Sequence, residues 1–365
     1  MSGELQRHAA DADADQLLDG EISLEMNEVV GLSQAQIVRR RFFRHRGAML
    51  SLTILAFIVV LSATSVGWGP IPGWWKWDYN ELVPRVAGDG GPTMSFRPTW
   101  LGGSGVMLGD HPFGVDNEIG KDMFAQTMRG VQTSLAIILV LGVLSTTIGV
   151  VIGALSGYYG RFVDATLMRF TDIVIVMPLL VVTAVAGFAL DLSGMWPVAI
   201  ALGIFTWTGL ARLVRAEFLA LREREFVDAA RVANASDRRI IFKHILPNTV
   251  GTIVVSTTLL MGAGILTEAA LGFLGFGVRA PAVSLGSLVN AYQGAYETRP
   301  WLFIWPGFFV VAIVLCLQFI GDGLRDAFDP RQKRIPKHKD LDREGELTRV
   351  TPAAAGVLGE TEDQR

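Results

Sequence analysis

The chain has 365 residues, of which 50% are hydrophobic and 18% charged, and its mean hydropathy is +0.39. An ordinary soluble domain carries about 25% charged residues, so this balance points into a membrane, and a net charge of −3 gives no argument for a nucleic-acid or acidic partner. Cys316 is the single cysteine, which excludes an intrachain disulfide, and the scattered histidines (His8, His45, His111, His244, His338) lack metal-ligand spacing.

Residues 1–36 hold Asp11, Asp13, Asp15 and Asp19 among alanines and few large apolar residues, which predicts a disordered acidic cytoplasmic N-terminus. Residues 37–67 join a basic segment (Arg39, Arg40, Arg41, Arg44, Arg46) to a first span at 48–67, uncharged from Ala48 to Val66. Crossing a bilayer takes about 20 apolar residues. No cleavable signal peptide precedes this span, so it is expected to stay as an anchor. Residues 68–130, rich in Gly, Pro and Trp, read as an extracytoplasmic loop. Residues 131–323 form a core of five further spans at 131–155, 165–190, 196–216, 247–273 and 302–321, and 324–365 read as a polar cytoplasmic tail.

Within these spans, Gly149, Gly153 and Gly157 make a doubled small-xxx-small pattern for close helix packing. Pro178 falls in the middle of the third span, tolerable where neighbours satisfy the freed carbonyl. Glu268 lies about 30 Å along the fifth span, at its outer end, where a charge is cheap. It reads either as an outer-rim structural carboxylate or as a translocation or outer-gate contact. Asp172 and Asp191 read as boundary residues.

Arginine and lysine concentrate before the first span, between the fourth and fifth (Arg212 to Lys243) and after the sixth (Arg325 to Arg334), which puts those segments and both termini in the cytoplasm. Trp68, Trp74, Trp75, Trp77, Trp100, Trp196, Trp301 and Trp305 lie near the opposite ends, where an interfacial belt belongs.

The cytoplasmic loop at 217–246 is the most informative segment. Phe226, Ala229, Ala230 and Ala233 recur at three- and four-residue spacing, giving one small apolar face among charges. Asn234 interrupts the pattern and tolerates the left-handed conformation that ends helices. Ser236 and Asp237 supply a cap and a first-turn charge for a second helix. Held at a membrane face between two spans, such an element is shaped to dock into something soluble. The flanking spans leave no room for duplex DNA. The run from Gly114 to Lys121 is no phosphate-binding loop, because five residues separate its glycines and Asp122 replaces the magnesium-binding Ser or Thr.

The spacing Asp228-Ala229-Ala230, three residues, Asn234, nine residues, His244-Ile245-Leu246-Pro247 resembles the coupling loop of ATP-binding-cassette importer permeases. That family pattern is Glu-Ala-Ala, three residues, Gly, nine residues, Ile, one residue, Leu-Pro. Asp for Glu and Asn for Gly keep the chemistry; nothing in the sequence explains His244 for Ile. The run around it is similar to the oligopeptide, dipeptide and nickel branch of C-type permeases. So are His111 to Asp122, Gly157-Tyr158-Tyr159-Gly160 with Asp164, Glu268 to Gly277, and Gly321 to Pro330. The likeness covers roughly 38 to 331 and departs near Pro281 to Leu288, where Leu285 replaces a usual Trp.

The resemblance implies an all-α, six-span, type I importer permease in the bacterial inner membrane. Its partners would be a second homologous permease, one or two cytoplasmic ATPase subunits and an extracytoplasmic substrate-binding protein. Glu225, Asp228, Ala229, Ala230, Arg231, Asn234 and Asp237 are the expected ATPase-coupling residues: the alanines pack in a groove, the carboxylate fixes a polar contact, and Asn234 sets the turn. No catalytic residue, metal or cofactor is expected in this chain, ATP and Mg being bound by the partner ATPase. Peptides are the expected cargo, with nickel chelates or another small solute as the alternative. A secondary transporter stays as a further alternative, against which the near absence of mid-span charges counts, and no repeated filter-like segment supports a channel.

Overall fold

The structure is a computed structural model that describes residues 34–84, 88–97, 105–107, 109–116, 118–189 and 194–329. The acidic segment, up to residue 33, Trp100, Asp191 and the tail from residue 330 lie outside the described residues.

Helix α1 (Gln34–Arg44) already covers the last residues expected to be unstructured. It turns at His45, whose Nδ1 accepts from the Ala48 N–H at 3.0 Å, into the first membrane helix, α2 (Arg46–Ser65). The segment between α2 and the next span carries two small antiparallel pairs. Strand β1 (Ser95–Arg97) pairs with β2 (Gly105–Met107), and β3 (Val115–Asp116) with β4 (Lys121–Asp122).

Helix α3 (Met123–Tyr159) is the longest, with 37 residues, or about 55 Å at 1.5 Å per residue. It starts eight residues before the boundary at 131 expected from hydropathy. Asp122 caps it by accepting from the Ala125 N–H at 3.0 Å. Its first turns, polar in places, are buried around Met123, Phe124 and Met128, so packing extends the helix beyond its apolar window. Gly160, at φ 65°, ends it.

The third span departs from a continuous helix. It is a pair, α4 (Arg161–Val176) and α5 (Leu179–Ala189), bent by 79°. Met177 adopts an extended ψ of 124°, as the residue before a proline must when Pro178 crowds it. Helices α6 (Met195–Thr206) and α7 (Thr208–Arg222) make one long span, followed by α8 (Glu225–Val232). A short α9 (Asp237–Arg239) runs through a π-helical turn at Ile240–Ile245 into α10 (Leu246–Phe273), with Pro247 just after that turn. The outer helix α11 (Leu285–Tyr292) precedes α12 (Pro300–Phe328), which runs past the expected start of the tail at 324. Among the described residues, five helices are long and apolar enough to cross a bilayer, six if the bent pair is one span.

Helix α3 is the hub, packed along α6 and α7, α10 and α2, while α12 packs on α10 and α2. One core cluster gathers Met123, Met128, Leu285, Tyr292, Phe309 and Ile313 towards the outer ends. Another gathers Phe218, Val227, Ala230, Ile240 and Ile245 beneath the 217–246 segment.

Candidate coupling site

The segment between α7 and α10 is a helix, a turn and a second helix. Asn234 has φ 55°, the left-handed conformation that lets the chain leave α8, and the Ala235 N–H donates back to the Ala230 carbonyl at 3.0 Å. Ser236 stands at the next N-cap but makes no side-chain capping bond. Asp237 turns away from a capping role: its Oδ1 accepts from the Tyr158 hydroxyl at 2.7 Å.

The apolar face of α8 differs from the one read from spacing. Val227 and Ala230 face inward, Ala230 being 9% exposed, onto Ile240 and Ile241. Phe226 (40% exposed), Ala229, Val232 (89% exposed) and Ala233 face outward. The bulk of Ile240, Ile241 and Ile245 sets that rotation, because three large side chains are buried best against Val227. Glu225 and Asp228 are exposed beside the outward face, and Asp228 pairs with Arg231 one turn on, at 2.9 Å.

The stripe Gly149, Gly153, Gly157 is where α7 meets α3. A Cβ on Gly149 would come 3.1 Å from the Trp207 carbonyl oxygen, on Gly153 2.5 Å from that of Ala211, and on Gly157 2.5 Å from the Phe218 Cβ. Below it, Arg222 Nη1 donates to the Gly157 and Tyr158 carbonyls at 3.0 and 3.4 Å. Arg215 grips Asp164 with two bonds, at 2.5 and 2.6 Å, and Ser156 donates to the same carboxylate at 2.5 Å, which ties α4 to α3 and α7.

At the other end, Glu268 does not meet water at the rim. It is 0% exposed. Ser134 Oγ of α3 donates to its Oε2 at 2.9 Å and accepts from the Leu285 N–H at 3.2 Å. Ser284 stands beside the same carboxyl, yet Oε1 has no hydrogen-bond partner among the described residues. The cover is α11, folded back over the end of α10. Gly272 and Gly286 permit the approach, since a Cβ on Gly272 would lie 2.6 Å from the Gly286 carbonyl carbon.

The end of the bundle that carries Glu268 is cross-braced. Arg299 bonds Asp116 at 3.1 Å and Glu118 at 2.5 Å. His111 and the Trp75 indole both bond the buried Asp122, at 2.9 and 3.2 Å. Burial, with Asp116 behind it, pushes the Tyr292 phenol above its ordinary range, and Lys76 holds the Asp110 carboxyl below its own. Of the residues that assemble these sites, Ser134 carried no sequence signal, and Arg222 counted only as one charge of the basic loop. Tyr158 sat in a recognised motif, but only as a turn.

Long apolar helices around α3, with an exposed helix-turn-helix between two of the spans, define a mostly helical, multi-pass membrane protein. The chain belongs to the family of binding-protein-dependent transport system inner membrane components, whose model matches residues 149–334. The N-terminal TM domain of oligopeptide transport permease C matches residues 33–85. The oligopeptide transport system permease protein OppC of Haemophilus influenzae is 37% identical over 312 residues, covering 85% of this chain and 93% of that protein. OppC of Mycobacterium tuberculosis is 34% identical over 304 residues, covering 83% and 97%. Among solved structures, the inward-facing MetNI methionine ABC transporter matches 57% of this chain and 98% of that one at 21% identity, with a TM-score of 0.47, too low to add to the assignment.

Proposed function

We propose that this inner-membrane permease subunit imports peptides, driven by ATP hydrolysis on a separate cytoplasmic ATPase that grips α8. The observation that carries the reading is the outward face of α8, with Phe226, Ala229, Val232 and Ala233 exposed beside Glu225 and Asp228. An apolar patch flanked by carboxylates on a short helix is an anchor for a groove in a soluble protein. When two ATPase domains close on ATP, each moves its coupling segment, and packed helices pass the motion to the spans as a rigid-body change.

ATP and Mg belong to the ATPase in this reading, and this chain binds neither. A second, homologous permease completes the pathway, and a binding protein delivers peptide to the Trp-rich outer face. The arginine distribution supports cytoplasmic termini and a cytoplasmic α8. The names of the relatives support peptide as cargo.

The test is affinity purification of the tagged chain in mild detergent, with identification of co-purifying chains and an ATPase assay, followed by peptide uptake in proteoliposomes with the binding protein. Recovery of an ATPase and a second permease, with ATP-dependent tripeptide uptake, is expected. A chain that purifies alone under gentle conditions overturns the reading. An assembled complex that ignores peptides but imports a nickel chelate moves the cargo to the alternative.

A further inference from the structure

Arg222 and Asp237 stand at the two ends of the helix-turn-helix, and both hold the last turn of α3. Arg222 Nη1 reaches the Gly157 and Tyr158 carbonyls at 3.0 and 3.4 Å, and Asp237 Oδ1 accepts from the Tyr158 hydroxyl at 2.7 Å. The segment 223–236 is therefore closed at its base on α3, to which it is not joined covalently. Gly157 lets Phe218 and Arg215 come close enough for this, since a Cβ there would lie 2.5 Å from the Phe218 Cβ.

We infer that Tyr158 is a positioning residue that delivers displacement of the coupling segment to α3, and through α3 to the Ser134–Glu268–Leu285 junction near the outer ends of the spans. The inference rests on the proposed docking of an ATPase on α8. Three connections leave the segment: the backbone into α7, the backbone into α10, and the clamp on α3. The clamp joins the segment directly, by hydrogen bonds, to the helix that packs on α2, α6, α7 and α10 together. Helix α3 runs unbroken and without proline from Tyr158 to Ser134, about 36 Å along its axis. At Ser134 it holds Glu268 of α10 and the first residue of α11.

The bonds differ in kind. The two from Arg222 are made to backbone carbonyls that a helix end leaves unsatisfied. Tyr158 to Asp237 is a side-chain bond to a carboxylate, directional and stronger than a neutral one. It fixes the last turn of α3 to the first residue of α9.

The test uses the assembled complex, isolated with its co-purifying ATPase, and hydrogen–deuterium exchange with and without a non-hydrolysable ATP analogue. In the wild type the analogue is expected to change exchange at the outer end of α3 and in α11. In Tyr158→Phe, which removes one oxygen, that remote response is lost while the ATPase stays bound at unchanged stoichiometry. Asp237→Asn keeps an acceptor oxygen and retains the response. A merely structural bond would not separate the two readouts. Equal responses in wild type and Tyr158→Phe, or no response at the outer end of α3 in a wild type that holds its ATPase, overturn the inference and leave the docking reading standing. Loss of assembly in both variants makes the bond a folding brace and overturns it as well. A wild type that holds no ATPase overturns the docking reading itself, and this inference falls with it.

Discussion

Ser134 and Glu268, 134 positions apart in sequence, share a buried 2.9 Å hydrogen bond, and the same serine oxygen accepts from the Leu285 N–H. One hydroxyl thus joins α3, α10 and α11. Removing it takes the Ser134 donor from a buried carboxyl whose Oε1 already lacks a partner among the described residues, leaving only Ser284 beside it, and a buried polar group without a partner costs about 1–3 kcal/mol. Ser134→Ala is expected to lower the unfolding free energy of the purified chain in detergent by that amount. Glu268→Gln, which keeps the shape and an acceptor oxygen, is expected to cost less than half as much. Equal stability of Ser134→Ala and wild type would show that the junction does not hold these segments together.

The α3–α7 contact makes an opposite pair of predictions for two glycines. A Cβ on Gly153 would lie 2.5 Å from the Ala211 carbonyl oxygen and 2.8 Å from the Val214 Cβ, whereas one on Gly209 meets nothing within 4 Å. Gly153→Leu should destabilise the chain by about 1–3 kcal/mol or more through overpacking. Gly209→Ala should be neutral or stabilising by up to ~1 kcal/mol, because alanine suits a helix interior better. Thermal unfolding of the two purified variants against wild type checks both.

Ala229 and Ala230 are neighbours with opposite consequences. Ala230 is seated in the cluster of Val227, Ile240 and Ile241, while Ala229 faces out. Ala230→Leu is expected to destabilise the segment by about 1–3 kcal/mol and to lose the ATPase as a result. Ala229→Leu should leave stability within about 0.5 kcal/mol and still reduce ATPase recovery. Co-purification combined with a melting curve separates the two, and unchanged recovery for Ala229→Leu argues against α8 as the docking element.

Tyr292 predicts a pH dependence at the outer face. Burial first, and then Asp116, hold its phenol above the ordinary value of 10.0. A group raised in the folded state contributes stability that is complete below its unfolded value and is lost as pH rises towards the folded one. The wild type is therefore expected to lose stability above pH 10.0 more steeply than Tyr292→Phe. Parallel pH curves for the two proteins would remove Tyr292 as the cause.

Much of this molecule could be read from local chemistry. Asn234 takes φ 55°, a conformation few residues other than glycine accept, whereas Pro178, which the sequence leaves inside one span, breaks the helix with a 79° bend. Other features escaped, for reasons of the same kind. Hydropathy started the second span at 131, since Asp122 and the polar residues after it look like loop until packing buries them. Spacing grouped Phe226 with Ala230, but the rotation of α8 is set by Ile240, Ile241 and Ile245, which lie beyond a turn.

The sequence by itself determined the class of protein, the order of its apolar spans, and the position of the helix-turn-helix between two of them. Each rests on properties that repeat within a few residues: apolar runs long enough for a bilayer, helical spacing, and turn-forming side chains. Only the tertiary structure decided that Glu268 is buried under α11, that Ala230 points inward, and that Asp237 holds Tyr158. Those outcomes depend on which helices meet and at what distance, and a hydrogen bond between residues 79 apart leaves no periodic trace in the chain that forms it.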